Sequence, residues 1–113
     1  MVMVVAIIRP DCLDEVKAAL DDVGVLGISV SEIRGSGRQR GYVHRYRQAE
    51  YHVHLIDKVR IELVVPEEDV EEIVAAICEA AHTGEVGDGK IFLIPVADAV
   101  RIRTGERGEA AVR

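Results

Sequence analysis

Val59-Arg-Ile-Glu-Leu-Val-Val-Pro-Glu-Glu-Asp-Val-Glu-Glu-Ile-Val-Ala-Ala-Ile-Cys-Glu-Ala-Ala81 changes its hydrophobic period at Pro66. Before the proline, Ile61, Leu63 and Val65 alternate with Arg60, Glu62 and Val64, the two-residue period of a strand. After it, Val70, Ile73, Val74, Ile77 and Ala81 recur at helical spacing. Glu67-Glu68-Asp69 place carboxylates where the positive end of the helix dipole favours them.

The chain opens in the same order. Val2 to Ile8 is continuous and rich in β-branched residues, as in a strand buried on both faces or at an interface. Pro10 starts a helix with Asp11 as its expected N-cap, and Leu13, Val16, Leu20 and Val23 form its apolar stripe. Gly24 ends it, since glycine accepts the left-handed cap conformation. Val25 to Ile33 reads as a second strand, Val59 to Val65 as a third and Ile91 to Val96 as a fourth. Ala97 to Arg103 is expected as a short further element, and Thr104 to Arg113 as a polar tail. The order is strand-helix-strand, long loop, strand-helix-strand. That is the split βαβ, or ferredoxin-like, pattern of the α+β class, in one domain spanning 1–113. Helices cover one sheet face in this fold. Strands this apolar also need the other face hidden, and in a chain of 113 residues the expected cover is a second copy.

Composition narrows the function. The chain carries a net charge of −6 and is 30% charged and 49% hydrophobic, a globular balance. Between Gly35 and Arg60, six basic residues face two acidic ones, so this segment is +4 against −10 for the rest. An acidic body with 4% aromatics is poorly suited to nucleic acid, while its basic segment points to an anionic partner. No apolar run approaches the roughly 20 residues of a membrane span, and Arg9-Pro10 after the first strand does not resemble a cleavage site. The expected compartment is the cytoplasm. Cys12 and Cys78 stand alone without a CxxC; antiparallel helices would let them approach each other, but two independent buried thiols are the expectation.

The chemistry-bearing residues are glycines beside bases. Gly87-Asp88-Gly89-Lys90 precedes a strand; glycines let backbone N–H groups approach a phosphate, and the lysine adds a point charge. An ordinary two-glycine turn explains the same residues equally well, and the spacing is not that of a Walker A loop. Gly35-Ser-Gly37-Arg38 is a second such element. Arg101 and Arg103 alternate on what reads as an extended segment and so share a side, a pairing suited to phosphate or carboxylate. Together the three elements favour a polyphosphate site. No Ser–His–Asp set is present. His52 and His54, with His44 or His82, are better read as solvated than as metal ligands. From Gly35 to about Ile56 regular structure is weak, with faint strand alternation at Val43, Tyr51, Val53 and Leu55; a loop of this length is usually functional.

These motifs resemble the PII nitrogen-regulatory signal proteins over nearly the whole chain. Ala6-Ile-Ile-Arg-Pro10 with Leu13-Asp-Glu-Val16 is similar to the family's first strand and helix. Gly35-Ser-Gly-Arg-Gln-Arg-Gly41 and Tyr46-Arg-Gln-Ala-Glu-Tyr51 resemble its long T-loop, here 35–56. Thr83-Gly-Glu-Val-Gly-Asp-Gly-Lys-Ile-Phe-Leu93 resembles its B-loop, 82–90, and the strand that follows. Val100-Arg-Ile-Arg-Thr-Gly-Glu106 resembles its C-terminal signature within the loop and tail at 101–113.

The resemblance implies a homotrimer that binds ATP or ADP between subunits and, with Mg, 2-oxoglutarate at the base of the T-loop. By position it assigns the phosphates to Gly37, Arg38, Gly87, Gly89, Lys90, Arg101 and Arg103, with Gly35 and Asp88 beside them. Adenine and ribose fall to Ile7, Ser29, Glu62, Val64 and Thr83. Gln39 completes the Mg shell, and Gly41 and Lys58 help hold 2-oxoglutarate, whose distal carboxylate wants a cation. Arg45 and Arg47 would meet the partner. That partner is expected to be an ammonium transporter, the route to any membrane association, or else glutamine synthetase or another nitrogen enzyme. Tyr51 stands where some members are uridylylated. The chain departs from the family at Gln48, Ser36, Arg40, Ser29 and His82, and Ala49 excludes the serine-phosphorylation switch. Two rivals have other chemistry: a small acylphosphatase-like hydrolase or slow ATPase, hinted at by Arg9, and a metal-tolerance trimer of the same architecture.

Overall fold

The computed structural model describes residues 1–35, 43–46, 49–52 and 55–113, with the backbone alone for 43–46 and 49–52. Strands β1 (Val2–Ile8), β2 (Ser29–Gly35), β5 (Ile56–Val65) and β6 (Gly89–Pro95) form one sheet in the order β2-β5-β1-β6. Every neighbouring pair is antiparallel. Helices α1 (Leu13–Asp22) and α2 (Val70–Ala81) cross over between them, each preceded by a single 3-10 turn, Pro10–Cys12 and Glu67–Asp69. This is the split βαβ arrangement expected from the period changes. The long insert adds a separate ribbon, β3 (Val43–Tyr46) paired with β4 (Ala49–His52).

The core follows the periodicity. Val4, Ala6 and Ile8 of β1 and Val59, Ile61, Leu63 and Val65 of β5 face Val16 and Leu20 of α1 and Val70, Ile73, Ile77 and Ala81 of α2, all buried. Each such Val, Leu or Ile side chain contributes about 1.5–3 kcal/mol by leaving water. Helix α1 stops as expected at Gly24, whose φ is +85°. The Val25 N–H bonds the Leu20 carbonyl at 3.0 Å and the Gly24 N–H bonds that of Asp21 at 3.0 Å, the paired closure that an αL glycine permits. Asp11 is not the N-cap: it lies inside the 3-10 turn, which has no side-chain cap bond and begins after Arg9.

Strand boundaries move with the ladders: β2 runs on to Gly35 rather than ending at Ile33, and β6 spans Gly89–Pro95 rather than Ile91–Val96. Strand β2 starts at Ser29, not Val25, because the helix closure and Gly27 occupy the intervening residues; β5 begins at Ile56, where its ladder with β2 reaches Gly35. The C-terminal segment differs more. Residues 97–103 form no strand: Val100 bridges Arg107, and the chain reverses through Gly105 at φ +76°. Asp98 Oδ1 then accepts the Gly108 N–H at 3.1 Å, and a short helix α3 (Glu109–Val112) replaces part of the expected tail.

The second sheet face carries Met3, Val5 and Ile7 of β1, Lys58, Arg60, Glu62 and Val64 of β5, Ser29, Ser31 and Ile33 of β2, and Lys90, Phe92 and Ile94 of β6, as register dictates. No helix of this chain covers it among the described residues, and Phe92 and Ile94 are 50% and 41% exposed.

Candidate functional site

The B-loop is a turn tied down by one carboxylate. Asp88 Oδ2 accepts the N–H groups of Thr83 at 2.8 Å and Gly84 at 2.9 Å, and Oδ1 accepts the Thr83 hydroxyl. Arg9, from the residue after β1, donates Nε to Asp88 Oδ1 at 3.2 Å and Nη2 to the Val86 carbonyl at 2.8 Å. The Thr83 hydroxyl and N–H, followed by the Gly84 N–H and Arg9, hold the Asp88 carboxyl well below the usual carboxylate range. Lys58 Nζ donates to the Gly87 carbonyl at 2.6 Å, which fastens β5 to the same loop. Partial burial, then the neighbouring Arg9 charge, lower the Lys58 pKa, and Asp88 opposes them.

Gly89 explains why this turn needs a glycine. It enters the ladder opposite Ile8 with φ +105°, and an added Cβ would sit 1.7 Å from the Ile7 carbonyl oxygen. That is a clash with backbone, so the sheet itself would have to shift. Gly87, at φ +107°, has an N–H that meets no acceptor among the described residues, the feature a phosphate-cradling loop requires. Lys90 follows, exposed and without an ion pair among the described residues.

Register places further assigned residues on the open sheet face. Ile7 lies between Arg60 and Lys90, and Ser29 opposite Glu62, while Val64 pairs with Met3. Gly35 ends β2, with Lys58 nearby on the adjacent strand. Arg60 Nε stands 2.5 Å from Glu62 Oε1, an ion pair too poorly aligned to give the buried Nε a hydrogen bond. The structure therefore brings together Ile7, Lys58, Thr83, Gly87, Asp88, Gly89 and Lys90 near one end of the sheet. Gly37, Arg38, Gln39, Gly41 and Arg47 lie outside the described residues, as do the side chains of Arg45 and Tyr51.

Arg101 and Arg103 do not join that group. They sit in a turn rather than on an extended segment, because the Gly105 N–H closes on the Arg101 carbonyl at 2.7 Å. The Arg101 guanidinium donates to Glu106 Oε1 at 2.7 Å and to the Arg113 carbonyl at 2.9 Å. Arg113 in turn bonds Glu68, just past the Val65 end of β5. The B-loop meets the opposite end, where Gly89 pairs with Ile8. Six strand steps at about 3.4 Å separate the two ends, roughly 20 Å.

Arg9 is the functional residue the sequence reading misplaced. By sequence it hints at hydrolase chemistry, whereas its guanidinium bonds Asp88 and the Val86 carbonyl and so ties the B-loop to the end of β1. Only the neighbourhood of an acidic residue in a Gly-rich loop could have signalled this, and nothing local joins positions 79 apart. Both thiols are free; Cys12 is buried as expected, but Cys78 is exposed. Among the described residues no group of three His, Cys, Asp or Glu is placed to hold a metal, and no helix is long and apolar enough to cross a membrane.

Comparison with known proteins agrees with this geometry. A family model described as nitrogen regulatory protein P-II matches residues 1–106. The nitrogen regulatory protein P-II of Azospirillum brasilense is 55% identical over 107 residues, 95% of this chain and 96% of its own. That of Microchaete diplosiphon is 54% identical over 112 residues, 99% and 100%. The crystal structure of Arabidopsis thaliana PII bound to citrate superposes with a TM-score of 0.80 at 40% identity, covering 99% of this chain and 89% of that one. With the split βαβ fold, a family model over residues 1–106 and this identity over nearly the whole chain, the protein belongs to the nitrogen regulatory protein P-II family, whose members are regulators rather than enzymes.

Proposed function

We propose that this chain forms a cytoplasmic homotrimer that reads adenylate charge and 2-oxoglutarate and controls an ammonium transporter through residues 35–56. The observation that carries the reading is the B-loop: Gly87 offers an N–H that no described residue engages, Gly89 permits the close backbone approach, and Lys90 stands exposed beside them. These residues fit a nucleotide phosphate, an anion taken by backbone donors and a point charge.

The separation of Arg101 and Arg103 from that loop favours a site shared between subunits, where one copy supplies the B-loop and the next its arginines. Phe92 and Ile94, about half exposed on the uncovered sheet face, support the same assembly. A relative with citrate bound supports a polycarboxylate effector. Here Lys58 would face the distal carboxylate of 2-oxoglutarate, while Gln39 would join the oxygen shell of Mg. The Lys58–Gly87 bond then joins the effector site to the nucleotide loop. A ligand moves the T-loop only in so far as it binds one loop conformation better than another, and Arg45 and Arg47 are the proposed partner contacts. The transporter, glutamine synthetase as the alternative partner, and uridylylation at Tyr51 belong to the same reading.

Calorimetry tests it. ATP should bind the wild type, and Lys90→Ala or Arg103→Ala should weaken it about tenfold or more, as loss of a charge-assisted bond costs ~1.5–3 kcal/mol. Lys58→Ala should abolish 2-oxoglutarate binding in the presence of Mg-ATP. A wild type that binds no adenine nucleotide overturns the reading.

A further inference from the structure

We propose that residues 106–113 form an internal latch on Arg101, and that this latch sets the affinity of the nucleotide site. Three contacts define it. Arg101 Nη1 donates to Glu106 Oε1 at 2.7 Å, and Nη2 donates to the Arg113 carbonyl at 2.9 Å. Arg113 is itself anchored, its Nη2 donating to Glu68 Oε1 at 2.6 Å and lying 3.7 Å from a Glu109 carboxylate oxygen. The Thr104 hydroxyl donates to the same Glu106 oxygen at 2.8 Å, and the Arg101 N–H bonds the Glu106 carbonyl at 2.9 Å, so the carboxylate is held in place before any ligand arrives.

The guanidinium that the proposed function gives to phosphate is thus already occupied by a carboxylate and a carbonyl. A carboxylate oxygen takes guanidinium donors as a phosphate oxygen does, so Glu106 is a competitor rather than a bystander. Arg103, two residues on, is exposed with no side-chain partner among the described residues. One turn therefore presents an open arginine and a latched one. An incoming phosphate meets Arg103 first and must displace Glu106 to gain Arg101. Displacement also frees the Arg113 carbonyl, loosening the contact between α3 and the turn before α2. An ion pair this exposed is weak, so the latch lowers apparent affinity by at most about fivefold.

The inference rests on Arg101 being a phosphate ligand, and the test separates the two claims. ATP is titrated by calorimetry into the wild type, Glu106→Gln, Glu68→Gln, and Arg101→Ala alone and combined with Glu106→Gln. Circular dichroism checks each fold. Glu106→Gln keeps the hairpin backbone and should tighten ATP by up to about fivefold. Glu68→Gln releases the anchor from a residue remote from the B-loop and should tighten it less, in the same direction. Arg101→Ala should weaken ATP and cancel the gain from Glu106→Gln. ATP binding that is unchanged or weakened in Glu106→Gln, with the wild type still binding, overturns the latch and leaves the proposed function standing. Absence of ATP binding in the wild type overturns both.

Discussion

Asp88 shows how one carboxylate shapes a loop that binds by its backbone. Its two oxygens take the Thr83 and Gly84 N–H groups, the Thr83 hydroxyl and Arg9, so its acceptors are turned inward. Its part in the proposed nucleotide site is to fix the path of the chain rather than to touch phosphate. The Thr83 bonds and then those of Gly84 and Arg9 depress its pKa below the ordinary value of about 3.9. A carboxylate bound more tightly to its donors when ionised adds stability that is complete above the unfolded-state pKa. That stability is lost as pH falls from there through the depressed native value. Asp88→Asn keeps one carbonyl acceptor but points an amide donor at other donors. It should unfold at lower urea than the wild type at pH 7, and the gap should close as pH is taken from about 4 towards 2. Equal midpoints at pH 7 would show that the loop does not depend on this charge. The glycines and Lys90 were legible because their chemistry is local. Arg9 was not, because its partner lies in a distant segment and its value comes entirely from the fold.

Helices α1 and α2 were legible because a 3.6-residue period survives over ten and twelve residues, and Pro10, Gly24 and Pro66 bound them. The C-terminal segment was misread because Val100-Arg-Ile-Arg103 alternates like a strand, while the Asp98 side chain and two glycines at positive φ bend it into a hairpin. Alternation over four residues is too weak to outweigh turn chemistry. Helical phase also sorts the thiols. Cys12 is buried at the start of α1, its Sγ 4.0 Å from the Ala81 carbonyl, and burial, then the Asp11 and Glu15 charges, raise its pKa. Cys78 lies one residue after the buried Ile77, out of the core stripe, and is exposed. A thiolate-selective disulfide reagent should therefore modify one thiol rapidly in the native protein and the second only on unfolding. Cys78→Ser should abolish the fast phase; its persistence would place the accessible thiol at Cys12. Ile77→Ala, in the same turn but 1% exposed, should cost about 2–5 kcal/mol in a urea melt.

The charge split now divides along the fold. Lys58 and Arg60 lie on the sheet, the first bonded to the B-loop and the second beside Glu62, while Arg45 belongs to the separate β3–β4 ribbon. The opposing −10 is concentrated on and around the helices, so the acidic and basic regions meet different surroundings. The open sheet face decides what the molecule does with this arrangement. Val5 is 3% exposed there even in one chain, between Glu62 and Phe92, whereas Phe92 is half exposed at its rim. In an isolated chain Phe92→Asp should cost little, since the ring is already wet. In the proposed trimer the same aspartate would be buried between copies, and an unpaired buried charge is not tolerated. Sedimentation should then give the wild type about three times the 12.4 kDa chain mass and Phe92→Asp the mass of one chain. The variant should keep its helical circular dichroism and lose ATP binding despite an intact B-loop, because Arg101 and Arg103 would no longer reach that loop from a neighbour. A wild type of single-chain mass, or a monomeric variant that still binds ATP as the wild type does, would place the whole nucleotide site within one chain.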